Sequence, residues 1–210
     1  MLPDGLTDES LVRGANLLAA RDIHLARILQ VHGPPPMWAR PPGFATLVRI
    51  ILEQQVSLAS AAAVFQRLKQ NIVPFKPQRF LELGETGLRS LGLTPQKTSY
   101  CLQLSELIIE RRINLSRVGR MPDQEAKEVL LQIKGIGHWS ADIYLLMALR
   151  RPDVWPANDL ALATAIGDLK QLKERPTPVK VFEIADSWRP FRAVAARMLW
   201  QYYLADRKRK

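Results

Sequence analysis

The chain holds one cysteine, Cys101, among 210 residues. A single thiol cannot build an internal disulfide framework, a zinc ribbon or a cysteine-ligated iron–sulfur cluster. The three histidines, His24, His32 and His138, form no H-x-x-x-H pair, so metal-dependent hydrolysis has no ligand pattern to rest on. Long hydrophobic runs are also missing. IYLLMAL at 143–149 is seven residues long, and a membrane helix needs about 20. The first ten residues, MLPDGLTDES, are polar and acidic and do not read as a signal or transit peptide. No Val/Ile/Thr-rich alternating segment marks a strand, and no fixed-period repeat is present. These absences lead us to expect an all-α protein of a reducing intracellular compartment, cytoplasmic or nuclear, with no membrane partner.

Negative charge is scarce as well. Lys and Arg total 30 against 20 Asp and Glu, a net charge of +10. Such an excess suits a polyanion, because each cation placed at a phosphate releases a counterion. A merely soluble basic protein has the same composition. The hydrophobic share of 47% is enough to bury a core as one domain or two closely joined subdomains.

Helical periodicity fills most of the chain. Leu11, Leu17, Leu18, Leu25, Ile28 and Leu29 predict a helix or broken helix pair over 10–31. The proline-rich GPPPMWARPPG at 33–43 predicts a connector. Phe44, Leu47, Val48, Ile51 and Leu52 share a helical face, and Ser57 is placed to cap a following helix. Gln54 and Gln55 fall at that joint. Thr94-Pro95 and Pro122-Asp123 read as further helix starts, the first helix running to about Arg111-Arg112 and the second turning Ala126, Val129, Leu130 and Ile133 inward. Helices are expected again from Trp139 to Leu149, from Asp159 to Lys170, and around a break at WRP (188–190) between Val179 and Ala205. The basic end RKRK reads as a solvated tail.

Residues 134–142, KGIGHWSAD, interrupt this pattern. Helix, G-x-G, helix is a helix–hairpin–helix arrangement. Glycines tolerate positive φ and let another backbone come close. The next helix offers N–H groups and its positive dipole end. Together these grip a phosphate without reading a base. Lys134 adds charge, and His138 and Ser140 can donate hydrogen bonds. A plain helix–turn–helix, with Gly135 as an ordinary C′ residue, has the same local pattern.

Asp159 opens a helix about twenty residues further on, in VWPANDLALATAI. Capping alone would explain an acid there, and Asn158 could cap equally well. Taken jointly, LQIKGIGHWSAD and WPANDLAL resemble the hairpin and Gly/Pro…Asp signature of the helix–hairpin–helix (HhH-GPD) DNA glycosylase superfamily. ILEQQVS (51–57), LGLTPQKTSY (91–100) and SWRPFRAVAARMLW (187–200) are similar to its 3-methyladenine DNA glycosylase II branch. The resemblance covers about residues 38–204 and, without room for an N-terminal β-rich domain, implies the compact form.

The resemblance implies an all-α fold of two helical subdomains flanking an active-site cleft. One is expected over about 45–150, with the hairpin at 131–140; the other over about 1–44 plus 151–210. It implies a monomer that flips bases out of double-stranded DNA containing alkylated bases. By position, Asp159 is the catalytic carboxylate. Bifunctional members carry a nucleophilic lysine two residues after the second glycine. Trp139 stands there, and an indole has no amine, so the resemblance implies hydrolysis without strand cleavage. An indole face also attracts a cationic alkylpurine by ~0.5–2 kcal/mol. Trp200 matches a second pocket tryptophan, with core packing the alternative. The branch has a tyrosine four residues after the first tryptophan; here Ile143 holds that place and Tyr144, the candidate pocket residue, is turned by about 100° on a helix. Gln55 matches the wedge that fills the gap left by a flipped base, or is simply an exposed polar residue. Backbone carbonyls of Leu131, Ile133 and Ile136 are implied to hold Na+ or K+, with no required cofactor. Trp38 and Phe44 read as core more than pocket, and Glu53 and Asp142 as solvated or capping acids. Competing activities are a glycosylase for deaminated or etheno purines, and a noncatalytic helix–hairpin–helix DNA-binding protein.

Overall fold

A computed structural model describes residues 5–207. The tail beyond Arg207 and the first four residues lie outside the described residues. Helices dominate, and no strand occurs among the described residues. The chain divides into two units. One is Arg40–Tyr144. The other combines Pro3–Ala39 with Leu145–Lys210, of which 5–39 and 145–207 are described.

The unit Arg40–Tyr144 holds α3 (Phe44–Glu53), α4 (Leu58–Asn71), α5 (Pro77–Ser90), α6 (Pro95–Ile109), α7 (Leu115–Val118), α8 (Asp123–Leu131) and α9 (His138–Ile143). α3 lies centrally, packed on α4, α6 and α9. Its Leu47, Val48, Ile50, Ile51 and Leu52 are all buried. Phe44 meets Phe80 edge-on at 4.9 Å, and Phe75 and Phe65 continue the cluster. Phe44 is half-buried in this aromatic cluster. The start signals hold: Ser57 Oγ accepts from Ser60 N–H, and Thr94 Oγ1 from Lys97 N–H, with Pro95 following. α6 stops at Ile109, short of the expected Arg111-Arg112, because Arg111 turns left-handed at φ 57°. α5 has no counterpart in the expectations. Gly84, at φ 62°, kinks it and breaks the periodicity that would reveal it.

The other unit holds α1 (Asp8–Ala19), α2 (Ile23–His32), α10 (Leu160–Leu169), α11 (Pro178–Asp186) and α12 (Arg192–Arg207). The broken pair expected over 10–31 is thus α1 and α2. α12 packs on the other four helices. Its run Ala193–Trp200 is buried throughout, as a helix surrounded by others requires. Arg197 lies within that run, fully buried. Its guanidinium donates to the carbonyls of Met37 (2.8 Å), Ala193 (2.9 Å) and Leu146 (2.7 Å). Burial pulls its pKa down to about 10, so it stays charged at neutral pH and ties three backbone segments together.

Asp22 anchors α2 in the same unit. One carboxylate oxygen accepts from the His24 and Leu25 N–H groups, and the other from Trp188 Nε1 at 3.0 Å. Burial raises its pKa, but the indole and amide bonds, with Lys170 nearby, outweigh that and leave it lowered. A lowered carboxylate stabilises the fold above the ordinary range and loses that contribution as pH falls through its folded value. Asp22→Ala is expected to cost about 1–3 kcal/mol at neutral pH, from the lost cap and the stranded indole. In urea titrations this gap between wild type and variant should narrow below about pH 4; a gap that stays constant into acid contradicts the assignment.

Candidate nucleic-acid interface and active site

Within Arg40–Tyr144, α8 ends at Leu131 and the chain turns through Ile133–Ile136. The Ile136 N–H donates to the Ile133 carbonyl at 2.9 Å. Ile133 and Ile136 are buried, whereas Lys134, Gly137 and His138 are exposed. The turn sinks two apolar side chains and presents its polar members outward. The two glycines differ in their reasons. Gly135 sits at φ 85°, and a Cβ there would overlap the Tyr100 ring. Gly137 has φ −90° and ψ −179°, ordinary extended backbone that does not require a glycine. Nothing lies within 4 Å of where its Cβ would stand. Glycine there leaves surface open to another molecule's backbone. α9 follows Gly137 without a side-chain cap, and it continues directly into a π-helical turn, Tyr144–Ala148.

Ser140 does not join this surface. It is 3% exposed, and its Oγ accepts from Gln54 Nε2 at 2.9 Å. It braces the hairpin from inside instead of donating to a phosphate. Tyr144 is also corrected. It is fully buried, its hydroxyl accepts the N–H of Gly43 at 2.9 Å, and burial raises its pKa. The one-residue offset from Ile143 rotated it into the core, where it holds the start of α3. Trp139, on the first turn of α9, remains half-exposed.

The two other acids are not solvated. Glu53 takes both guanidinium nitrogens of Arg40, at 2.8 and 3.0 Å, and Arg49 Nε at 3.0 Å. Asp142, 2% exposed, pairs with Lys127 Nζ at 2.7 Å, which joins α9 to α8 across the hairpin. Neither is the solvated acid expected. Gln55 stands exposed at φ 56° in the joint between α3 and α4, with Val56 and Leu58 exposed beside it.

In the other unit, Asn158 is left-handed at φ 60° and Asp159 itself caps α10. The cap is therefore Asp159, not Asn158. Its Oδ1 accepts from Leu162 N–H at 2.9 Å and from Trp200 Nε1 at 3.3 Å. Trp200 is 9% exposed and meets Trp38 edge-on at 6.3 Å. Trp200 is therefore part of the core and also a partner of Asp159. It packs along buried α12, and it places its only donor on the carboxylate. Among the described residues, no cluster of three or more His, Cys, Asp or Glu could hold a metal.

Gln54, Lys97 and Lys127 were not singled out from sequence. The doubled glutamine of EQQ marks the joint, but nothing distinguishes the inward residue from the outward one. Only the backbone turn at Gln55 does.

An all-α chain that presents a G-x-G hairpin at its surface and holds an aspartate at a later helix start has the architecture of a helix–hairpin–helix DNA repair protein. The model of the HhH-GPD superfamily of base excision DNA repair proteins matches residues 48–190, and the chain belongs to that superfamily. It is 29% identical over 199 residues to DNA-3-methyladenine glycosylase 1 of Schizosaccharomyces pombe, covering 91% of this chain and 87% of that one. It is 26% identical over 170 residues to a DNA-3-methyladenine glycosylase of Bacillus subtilis, covering 75% of this chain but only 56% of the relative's length. A solved structure of the S. pombe 3-methyladenine DNA glycosylase in complex with abasic DNA superposes with a TM-score of 0.82 at 27% identity, over 90% of this chain and 95% of that one. The fold is the all-α glycosylase fold of that superfamily.

Proposed function

We propose that this protein is a monofunctional DNA glycosylase of base excision repair. It acts as a monomer on double-stranded DNA and excises alkylated purines, chiefly 3-methyladenine and also 7-methylguanine. The observation that carries this reading is Asp159, held at the start of α10 by the Leu162 N–H and the Trp200 indole. In the reaction the C1′–N bond breaks and its electron pair leaves with the base. An N3- or N7-alkylated purine is cationic, so it departs neutral and needs no strong general acid. The sugar gains oxocarbenium character, which a fixed carboxylate stabilises. Water then adds to C1′ and loses a proton.

Trp139 supports both halves of the proposal. Its indole face attracts the cationic base, and it offers no amine for a Schiff base. Lys134, Gly137 and His138, exposed together on the hairpin, suit a phosphate. Gln55, exposed and left-handed, suits a wedge. The carbonyls of Leu131, Ile133 and Ile136 are uncharged oxygen donors, which suit a hard cation such as Na+ or K+. The Ile133 oxygen already accepts from Ile136 and keeps a second lone pair. Such an ion would add positive charge where a phosphate docks.

Incubating the protein with methylated DNA should release 3-methyladenine and 7-methylguanine into the supernatant, seen by chromatography. Adding borohydride during turnover should trap no protein–DNA adduct. A trapped adduct would show that an amine attacks the sugar.

A further inference from the structure

The α3–α4 joint and the hairpin lie in one unit, and one side chain ties them. Gln54 ends α3 in extended backbone, and Gln55 next to it turns left-handed, so the two side chains leave the chain in different directions. Gln55 is exposed. Gln54 reaches back, and its Nε2 donates to the Gly135 carbonyl at 2.7 Å and to Ser140 Oγ at 2.9 Å. The carbonyl partner fixes which end of the amide points there, since only the NH2 can donate. The backbone of the joint is held from its other side. Lys97 Nζ, on α6, donates to the Leu52 carbonyl at 2.7 Å and the Gln54 carbonyl at 2.9 Å, where α3 leaves its last acceptors unpaired. The hairpin acceptors come from both sides of the exposed Gly137: Gly135 precedes it, and Ser140 lies on the first turn of α9. Lys127–Asp142 then locks that helix to α8.

We propose that Gln54 is a positioning residue that fixes the Gln55 joint to the hairpin, so that gripping the DNA backbone and everting the base happen as one event. This rests on the glycosylase reading above. The residue type is specific. Leucine is apolar, carries no donor and ends one atom short of Nε2, so it would leave the Gly135 carbonyl and Ser140 hydroxyl without theirs. Glutamate would bring a charged acceptor against a carbonyl. An error of about 1 Å between a clamp and a reacting group costs up to ~100-fold in rate, so a single bridging amide between the two is enough to matter.

The test is Gln54→Leu, measured three ways after a thermal melt has shown that it folds. Single-turnover excision from a fully paired methylated duplex should fall about tenfold or more. Excision of the same lesion from a bulge, where it is already unstacked, should fall less than about twofold. Fluorescence of 2-aminopurine placed in undamaged duplex should rise on binding wild type and rise much less with Gln54→Leu. On a Gln55→Ala background, Gln54→Leu should leave the duplex-to-bulge ratio unchanged, because residues acting through one another are not additive. Ser140→Ala, which removes one of the two acceptors, should give an intermediate ratio. Equal losses on duplex and bulge, or a further change in the ratio without Gln55, would overturn the proposal. A wild type that everts 2-aminopurine but releases no methylated base would sink the glycosylase reading alone. Unchanged eversion by Gln54→Leu sinks the positioning role whether or not base is released.

Discussion

Asp159→Asn is expected to release methylated purines about 100- to 1,000-fold more slowly than wild type, the scale on which a single group stabilising transition-state charge contributes. Asparagine is the sharp substitution because it separates the two jobs of this side chain. Asn caps helices as well as Asp does, and its carbonyl oxygen can still accept from Leu162 N–H and Trp200 Nε1. The fold and the helix start should therefore survive, and the melting temperature should stay within a few degrees. What disappears is the negative charge that the proposed mechanism sets against a developing oxocarbenium ion. Binding to undamaged duplex should keep the same dependence on salt, since that reports the phosphate contacts of Lys and Arg. Base release, melting and salt-dependent binding, measured on one preparation, decide the case. If the variant excises at the wild-type rate, Asp159 is only a cap, and the noncatalytic DNA-binding alternative regains ground.

The second large effect lies in the hairpin, where the two glycines should behave differently. Gly135→Ala meets two penalties at once. A left-handed φ costs a residue with a Cβ about 1–2 kcal/mol. Overlap with the Tyr100 ring adds about 1–3 kcal/mol of overpacking. Chemical denaturation should show their sum, and Tyr100→Ala added to Gly135→Ala should remove the overlap portion relative to Tyr100→Ala alone while leaving the φ portion. Gly137→Ala should change stability little, because its backbone is extended and its surroundings are open. Its effect should fall on DNA affinity, where a methyl group would stand between the hairpin and a phosphate. If Gly135→Ala proves neutral in stability, the close approach to Tyr100 is wrong. If Gly137→Ala leaves duplex affinity untouched, no DNA backbone passes that glycine.

Capping signals were the most reliable part of the sequence. Thr94-Pro95 and Ser57 start helices where they are expected to, because a cap is a bond between residues three apart and needs no distant partner. Asp159 was legible for the same reason. Similarity carries over position along the chain and so offers Tyr144 as a pocket residue, whereas a one-residue shift on a helix decides which face a side chain takes and buries it. Ser140, Glu53 and Asp142 were misread in a common way. Each is polar and looks exposed in sequence, yet each is buried against a partner 4 to 86 residues away: Glu53 by Arg49 and Arg40, Asp142 by Lys127, Ser140 by Gln54. Glu53–Arg49 is an i,i+4 helix pair, but the partners Arg40, Lys127 and Gln54 lie further along the chain, where no local pattern announces them.

By itself the sequence determined the helical class, the G-x-G turn, the acid at the start of α10 and the amine-free Trp139 two residues beyond that turn. These depend on residue type and short spacing, through caps, glycine backbone freedom and the chemistry each side chain can perform. Only the tertiary structure decided which of two adjacent glutamines points inward, which glycine needs its left-handed backbone, and that the Trp200 indole reaches the carboxylate of Asp159. Those outcomes depend on groups brought together from distant parts of the chain, where burial forces every polar atom to find a partner.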